Sequence, residues 1–412
     1  MIGAEIKPSA RKAEMVESLE QPHGRFALTN GRIVLPHEIV TGNAVVVEGG
    51  KIAGIAGVGS LGSDIDQIDV GRRIITPGLI DIHTHGALGH TFNEPTAEAY
   101  MVITQENASR GVTALLATLA TAPIPDLVVC LEFGRQWMHG SHEGARVLGM
   151  HLESPYISPA QKGALDPANI RTPDDGTPGI LLEHHDVLKI MALAPELPGA
   201  LDLVAKLAKL GIVPAAGHSS ARDEHVLAAM QVGLRHVTHI WSAMSTTIRE
   251  GPWRKPGLLE ASLLFDGLTV EMIADNKHLP PTLMKLAAKC IGPDRLCAIS
   301  DATSGAGLSE GARFAMGGME YQVHDGVGMM FDRTAFAGST TLVNQMVPIL
   351  TGVVGVPLPE AIRMLTLTPA RVIGWDGRKG SLEPGKDADL AIFHEDWAAW
   401  RTMIGGQWTY AS

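Results

Sequence analysis

Eight short apolar runs recur along the middle of this chain, and segments with helical patterning separate them. The runs are Leu79–His83, Val112–Thr118, Arg146–Leu152, Val187–Ala194, Ile212–Ala216, His236–His239, Leu268–Ile273 and Leu296–Ser300. Intervening stretches such as Pro95–Arg110, Leu201–Leu210, Asp223–Val232 and Pro281–Ile291 read as helices. A strand-then-helix unit repeated eight times in one domain predicts a (β/α)8 TIM-like barrel, here over residues 78–377.

The flanks read differently. Between Phe26 and Thr76 short strands alternate with turn signals, Asn30-Gly31 and Gly49-Gly50, each expected to close a hairpin. The glycines at 54, 57 and 59 lack the order and the following helix of a nucleotide-binding loop. The stretch Gly380–Phe393 returns to strand character. A small β-sandwich domain built from both chain ends, residues 1–77 and 378–412, is therefore expected beside the barrel. A length of 412 residues suits one large and one small core.

Composition narrows the function. A net charge of −11 and the lack of a basic stripe argue against a nucleic-acid partner. No uncharged apolar run reaches membrane-spanning length, so no membrane partner is expected. Met1 to Gln21 is polar, without the apolar stretch of a secretory signal, and reads as a loose arm or an expression remnant. Cys130, Cys290 and Cys297 are too few and too scattered for a disulfide framework, which fits a cytoplasmic protein.

Ligand-type side chains end several of the apolar runs. His83-Thr84-His85 ends the first, and residues i and i+2 of a strand face the same way. Glu153 follows the third, His218 the fifth, His239 closes the sixth and Asp301 follows the eighth. In a barrel these are the C-terminal ends, where active sites form. One histidine at a strand end ordinarily packs, and one acidic residue there caps a helix. Coincidence at five strand ends points instead to a metal centre. Imidazoles and carboxylates without a thiolate favour Zn²⁺, Fe²⁺ or Mn²⁺ in an open catalytic site. Such an ion lowers the pKa of bound water to about 7. A neighbouring carboxylate can then move the proton, and Asp301 is the candidate. His151 reads as a packing residue and His184-His185 as solvated.

Several motifs carry a resemblance. They are Pro77–Gly86, His151-Leu152-Glu153-x-Pro155, Lys162-Gly163-Ala164, Gly217-His218-Ser219 and Thr238-His239-x-x-x-Ala243-Met244. Further along come Ile273-Ala274-Asp275-x-x-His278, Ser300-Asp301-Ala302, Ala337-Gly338-Ser339 and Gly380–Ala391. From Phe26 to the C-terminus the chain resembles the N-acetylglucosamine-6-phosphate deacetylase family of the amidohydrolase superfamily. That resemblance implies that Glu153, His218 and His239 hold a principal divalent ion, zinc or iron. His83 and His85, sharing Glu153, would hold a second, giving one or two ions per subunit. Asp301 would be the general acid/base beside the metal. The implied substrate is an anionic 2-acetamido sugar phosphate, which loses acetate. Its phosphate would be met by Arg254, His278 and the Ser242-Ala243 pair, with Arg249 competing with Arg254. These groups can reach across an interface in the family, which implies a homodimer.

Five positions depart from the family pattern. Ser242 replaces an asparagine, Leu165 a substrate-contacting histidine, Asn276-Lys277 a Gly-Leu pair, and Ser154 a glycine beside Glu153. Leucine donates no hydrogen bond, so recognition of the carbonyl or the sugar must differ. A different N-acyl sugar, an N-acyl amino acid or a cyclic amide is therefore the alternative substrate. A non-catalytic scaffold is the remaining alternative, but its mark would be lost ligands, and all of them are present.

Overall fold

The computed structural model describes residues 20–412. The stretch read as a loose arm lies outside the described residues up to position 19. At its end, Gln21 is bonded to the Trp408 backbone at 2.7 and 3.0 Å.

An eight-stranded parallel sheet forms the barrel, with neighbours in chain order. Its strands are Leu79–Thr84, Val112–Leu119, Arg146–Leu152, Leu188–Leu193, Val213–Ala216, His236–Val237, Thr269–Ile273 and Leu296–Ile299. Backbone bonds just past the strand ends join the last to the first. Asp301 N–H donates to the His83 carbonyl at 2.9 Å, and His85 N–H to the Ala302 carbonyl at 2.7 Å. Below them the Ser300 hydroxyl donates to the Asp81 carboxylate, which is wholly buried.

Period-two alternation explains why these runs are strands. Leu79, Leu115, Met191 and Val270 pack with the surrounding helices. Their neighbours Ile80, Leu116 and Ile190, with Ala215 and Ile299, form a separate cluster on the other sheet face. Burial on both faces favours runs that are mostly apolar, and the few buried polar side chains in them, such as Asp81 and Glu271, are hydrogen-bonded. The helix Pro281–Ile291 has the bounds its pattern predicts. Ala97–Ala108 and Asp223–Gln231 are trimmed by a residue or two at their ends, and Ala200–Lys209 is shifted by one residue toward the N-terminus. Ala200–Lys209 buries Ala200, Leu203, Val204 and Leu207, a stripe at helical spacing.

Both chain ends build the small domain. Leu390–Phe393 pairs antiparallel with Ile74–Pro77 in a six-stranded sheet, Leu390 opposite Pro77. A four-stranded sheet faces it, and Phe26, Val45, Ile52, Ile75, Ile392 and Trp408 share the core. The Gly49-Gly50 hairpin is present, with Glu48 opposite Lys51. The Asn30-Gly31 expectation needs correction. Asn30 adopts φ 59°, but Arg25–Thr29 pairs in the four-stranded sheet and Arg32–Val34 in the six-stranded one. The turn passes the chain between layers, because each flanking strand finds a longer-range partner to cover its apolar side.

An additional four-stranded antiparallel sheet follows the eighth barrel strand, from Arg313–Met316 to Phe336–Ser339. Phe314, Met316, Tyr321 and Ala337 of this insert pack on Leu165 beside the barrel mouth.

Candidate metal centre

The six ligand-type residues converge at the C-terminal mouth of the barrel. Glu153 is the hub. Its Oε1 lies 2.8 Å from His239 Nε2 and 3.0 Å from His218 Nε2. Its Oε2 lies 3.3 Å from His85 Nε2, which is equally 3.3 Å from Asp301 Oδ1. His83 Nε2 stands 3.6 Å from both Glu153 and Asp301. The atoms fall into two overlapping sets, each within 4.8 Å. One holds His83, His85, Glu153 and Asp301, the other Glu153, His218 and His239. Glu153 belongs to both.

The residues fit a divalent ion. Every one of them is buried, and His83 Nε2, although enclosed, has no hydrogen-bond partner among the described residues. Imidazoles and carboxylates gathered in these two sets supply the N/O donors such ions take at about 2.0–2.2 Å. The electrostatics agree. Burial pushes the Glu153 carboxyl up, but hydrogen bonds from His218, His239, His83 and His85 outweigh it and hold it well below the carboxylate range. Burial pushes the Asp301 carboxyl up as well, and the bond to His85 with the charge of His83 holds it down. Burial lowers His85, yet Asp301 and Glu153 raise it to about 9. The pocket thus concentrates negative charge that protons occupy when no cation does.

Local backbone geometry aims these groups. His218, Trp241, Ala243, Asn276 and Asp301 all adopt left-handed φ, between 46 and 70°. Each costs a non-glycine residue on the order of 1–3 kcal/mol and is held only by its surroundings. Asp301 is pinned on both sides, its N–H on the His83 carbonyl and its carbonyl taking the Ser339 N–H at 2.8 Å. The His218 carbonyl accepts from Ser158 N–H at 2.8 Å. Gly217 keeps that turn close to the sixth strand, since a Cβ there would lie 1.9 Å from Thr238 Oγ1.

A cavity of about 260 Å³ opens over these candidate ligands. Ser242, Ala243 and His278 line it, as do Leu165, Trp241, Met316 and Phe336. Arg254 does not line it. It sits on the exposed hairpin formed by Ile248–Glu250 and Trp253–Lys255, where its guanidinium donates to the Pro252 carbonyl at 3.2 Å. Arg249, on the same hairpin, donates to the Gly251 carbonyl at 2.7 Å. A larger cavity, about 440 Å³, lies at the opposite barrel end, but Lys379 pairs with Asp387 and Asp389 there and no ligand set converges among the described residues.

Sequence reading passed over several groups. His184, read together with His185 as solvated, is instead buried beside Arg135 at 3.1 Å, and only His185 of that pair is exposed. Asp275 accepts from His278 Nδ1 at 2.7 Å and from Ser339 Oγ at 3.0 Å. Glu271 is buried among histidines. A lone carboxylate within the apolar run Leu268–Ile273 was the available signal. Met316 and Phe336 come from the insert, whose pairing no local pattern announces. His151 is a packing residue, its Nδ1 donating to the Ile82 carbonyl at 3.2 Å.

Comparison with known proteins places this arrangement. Residues 74–409 match the amidohydrolase family, and residues 25–75 match the NagA composite domain. The N-acetylglucosamine-6-phosphate deacetylase of Haemophilus influenzae is 32% identical over 387 residues, 93% of this chain and 99% of that one. An N-acetylgalactosamine-6-phosphate deacetylase of Escherichia coli O157:H7 is 33% identical, covering 81% of this chain and 87% of its own. The crystal structure of the N-acetylglucosamine-6-phosphate deacetylase from Pasteurella multocida superposes with a TM-score of 0.88 at 29% identity, covering 94% of this chain and 100% of that one. With its ligand set, barrel and terminal β domain accounted for, this chain belongs to the amidohydrolase family, among the N-acetylglucosamine-6-phosphate deacetylases, and is a metal-dependent hydrolase.

Proposed function

We propose that the chain removes the acetyl group from an N-acetylated amino-sugar phosphate, N-acetylglucosamine 6-phosphate first, giving glucosamine 6-phosphate and acetate. The observation that carries this is Glu153 gathering His85, His218 and His239, with Asp301 3.3 Å from His85 at the same mouth. Relatives matched along most of their length bear that activity in their names.

In this reading residues 78–377 are the catalytic barrel, flanked by small-domain segments 1–77 and 378–412. Glu153, His218 and His239 hold one zinc or iron ion, and His83 and His85 with Glu153 and Asp301 hold a second. Such ions polarise an amide carbonyl and acidify water. Asp301, kept ionised, takes the proton from the attacking water and returns it to the amide nitrogen as the C–N bond breaks. His278, braced by Asp275, and Ser242 with Ala243 contact the sugar phosphate. No Lys or Arg of the same chain lines the cavity among the described residues. The phosphate is then met by Arg254 on the hairpin of a second copy in a homodimer. Three unpaired cysteines, Cys130, Cys290 and Cys297, suit a cytoplasmic enzyme.

One observation favours a second reading. Leu165 and Met316 give the cavity an apolar wall where the family has a donor, so a different N-acyl sugar is the alternative substrate. Acetate release from N-acetylglucosamine 6-phosphate by metal-loaded protein, beside N-acetylgalactosamine 6-phosphate and unphosphorylated analogues, tests both. Asp301→Asn should reduce release by about 10²–10⁴-fold while the melting temperature holds. Turnover of another N-acyl compound alone would establish the alternative, and inactivity toward all of them with metal bound would refute hydrolysis.

A further inference from the structure

Glu271 lies inside the seventh barrel strand with no exposed surface. A carboxylate so placed survives only with its oxygens occupied. Its Oε2 accepts from His83 Nδ1 at 2.8 Å and from the His239 N–H at 3.3 Å. Its Oε1 accepts from His236 Nε2 at 3.0 Å, and His236 Nδ1 is held 2.7 Å from Thr269 Oγ1. The bracing is selective. Of the four histidines facing Glu153, His218 rests its Nδ1 on the Gln161 carbonyl at 2.8 Å. The Nδ1 atoms of His85 and His239 have no hydrogen-bond partner among the described residues. Only His83 meets a carboxylate.

That contact commits one nitrogen of His83, Nδ1, to donating to the Glu271 carboxylate. With Nδ1–H committed to Glu271, Nε2 is the nitrogen turned toward Glu153 and Asp301, each 3.6 Å away, and the one left to bind an ion once its own proton is displaced. This spacing is too long for a hydrogen bond and leaves room for a cation between them. A carboxylate behind an imidazole also makes the ring a stronger donor. We propose that Glu271 is the positioning residue that makes His83 a metal ligand and so sets the affinity of the second ion far more than that of the first. The assignment rests on the two-ion reading above.

Metal-free wild type and Glu271→Gln are titrated with zinc against a competing chelator, with thermal melting followed in parallel. Wild type should take two ions. The variant should bind the His83–His85 ion about 10–100-fold more weakly and the other within about threefold. Glu271→Asp, which keeps the charge but withdraws it by one methylene, should show the same selective loss and serves if the amide variant does not fold. Equal weakening of both ions, or no change in a folded variant, overturns the assignment while the hydrolase reading stands. A wild type that holds one ion overturns it too, and a wild type that takes up none removes the metal centre itself.

Discussion

Loading the metal-free protein should release protons, and their number follows from the site. Burial pushes His85 down, but Asp301 and Glu153 outweigh it and raise its ring to about 9. His83 also stands well above its ordinary value, burial being outweighed by Glu271 and Glu153. At pH 7.5 a ring with a pKa of about 9 is roughly 97% protonated. A ligating imidazole must be neutral, so filling the His83–His85 position expels roughly two protons. Each one released changes the binding free energy by about 1.4 kcal/mol per pH unit. Affinity for that ion should therefore rise on the order of 100-fold per pH unit near neutrality. The stability sign follows the same shift. A folded pKa raised above 6.5 gives stabilisation that is complete below 6.5 and lost as pH rises through about 9. The metal-free protein should lose melting temperature across that window, and the zinc-loaded protein should not. Calorimetric titration in two buffers of different protonation enthalpy counts the protons directly. A binding enthalpy independent of buffer would refute the reasoning.

Three further outcomes are expected. Gly217→Ala pushes a methyl onto Thr238 Oγ1, 1.9 Å from the new Cβ, so it should cost about 1–3 kcal/mol in denaturant unfolding and weaken zinc uptake through His218. Leu165→His returns a donor to the cavity wall, and since one such donor is worth on the order of 10²-fold, kcat on N-acetylglucosamine 6-phosphate should rise if that is the substrate. An unchanged kcat with the variant folded counts against that sugar. Arg254→Ala should raise KM for a phosphorylated substrate about tenfold or more, leaving zinc content and turnover of an unphosphorylated analogue as they were. An unaltered KM would remove Arg254 from the site.

The barrel was legible in the chain because burial on both sheet faces makes its strands mostly apolar, with few polar interruptions. Runs such as Arg146–Leu152 and the helix Pro281–Ile291 announce themselves locally. His83, His85, Glu153, His218, His239 and Asp301 were legible for a related reason, since charge at the end of an apolar strand is conspicuous and a barrel collects all such ends at one mouth. Turn residues were less informative. Asn30-Gly31 states that the chain reverses there, but not which strand will lie alongside, and that choice depended on strands far along the sequence.

What only the tertiary structure decided lies between elements. Glu271 reads in sequence as one acidic residue in a strand, and its meaning comes from His83 and His236, 188 and 35 positions away. The left-handed backbone at His218 and Asp301 has no sequence mark, because it is imposed by bonds from neighbouring loops. The apolar wall of the cavity appears only once the insert folds over Leu165. Local patterning sets which residues each strand end presents, since periodicity is a property of neighbours along the chain. Which nitrogen faces the ion, and what closes the pocket above it, is set by contacts between segments that are distant in sequence and adjacent in the fold.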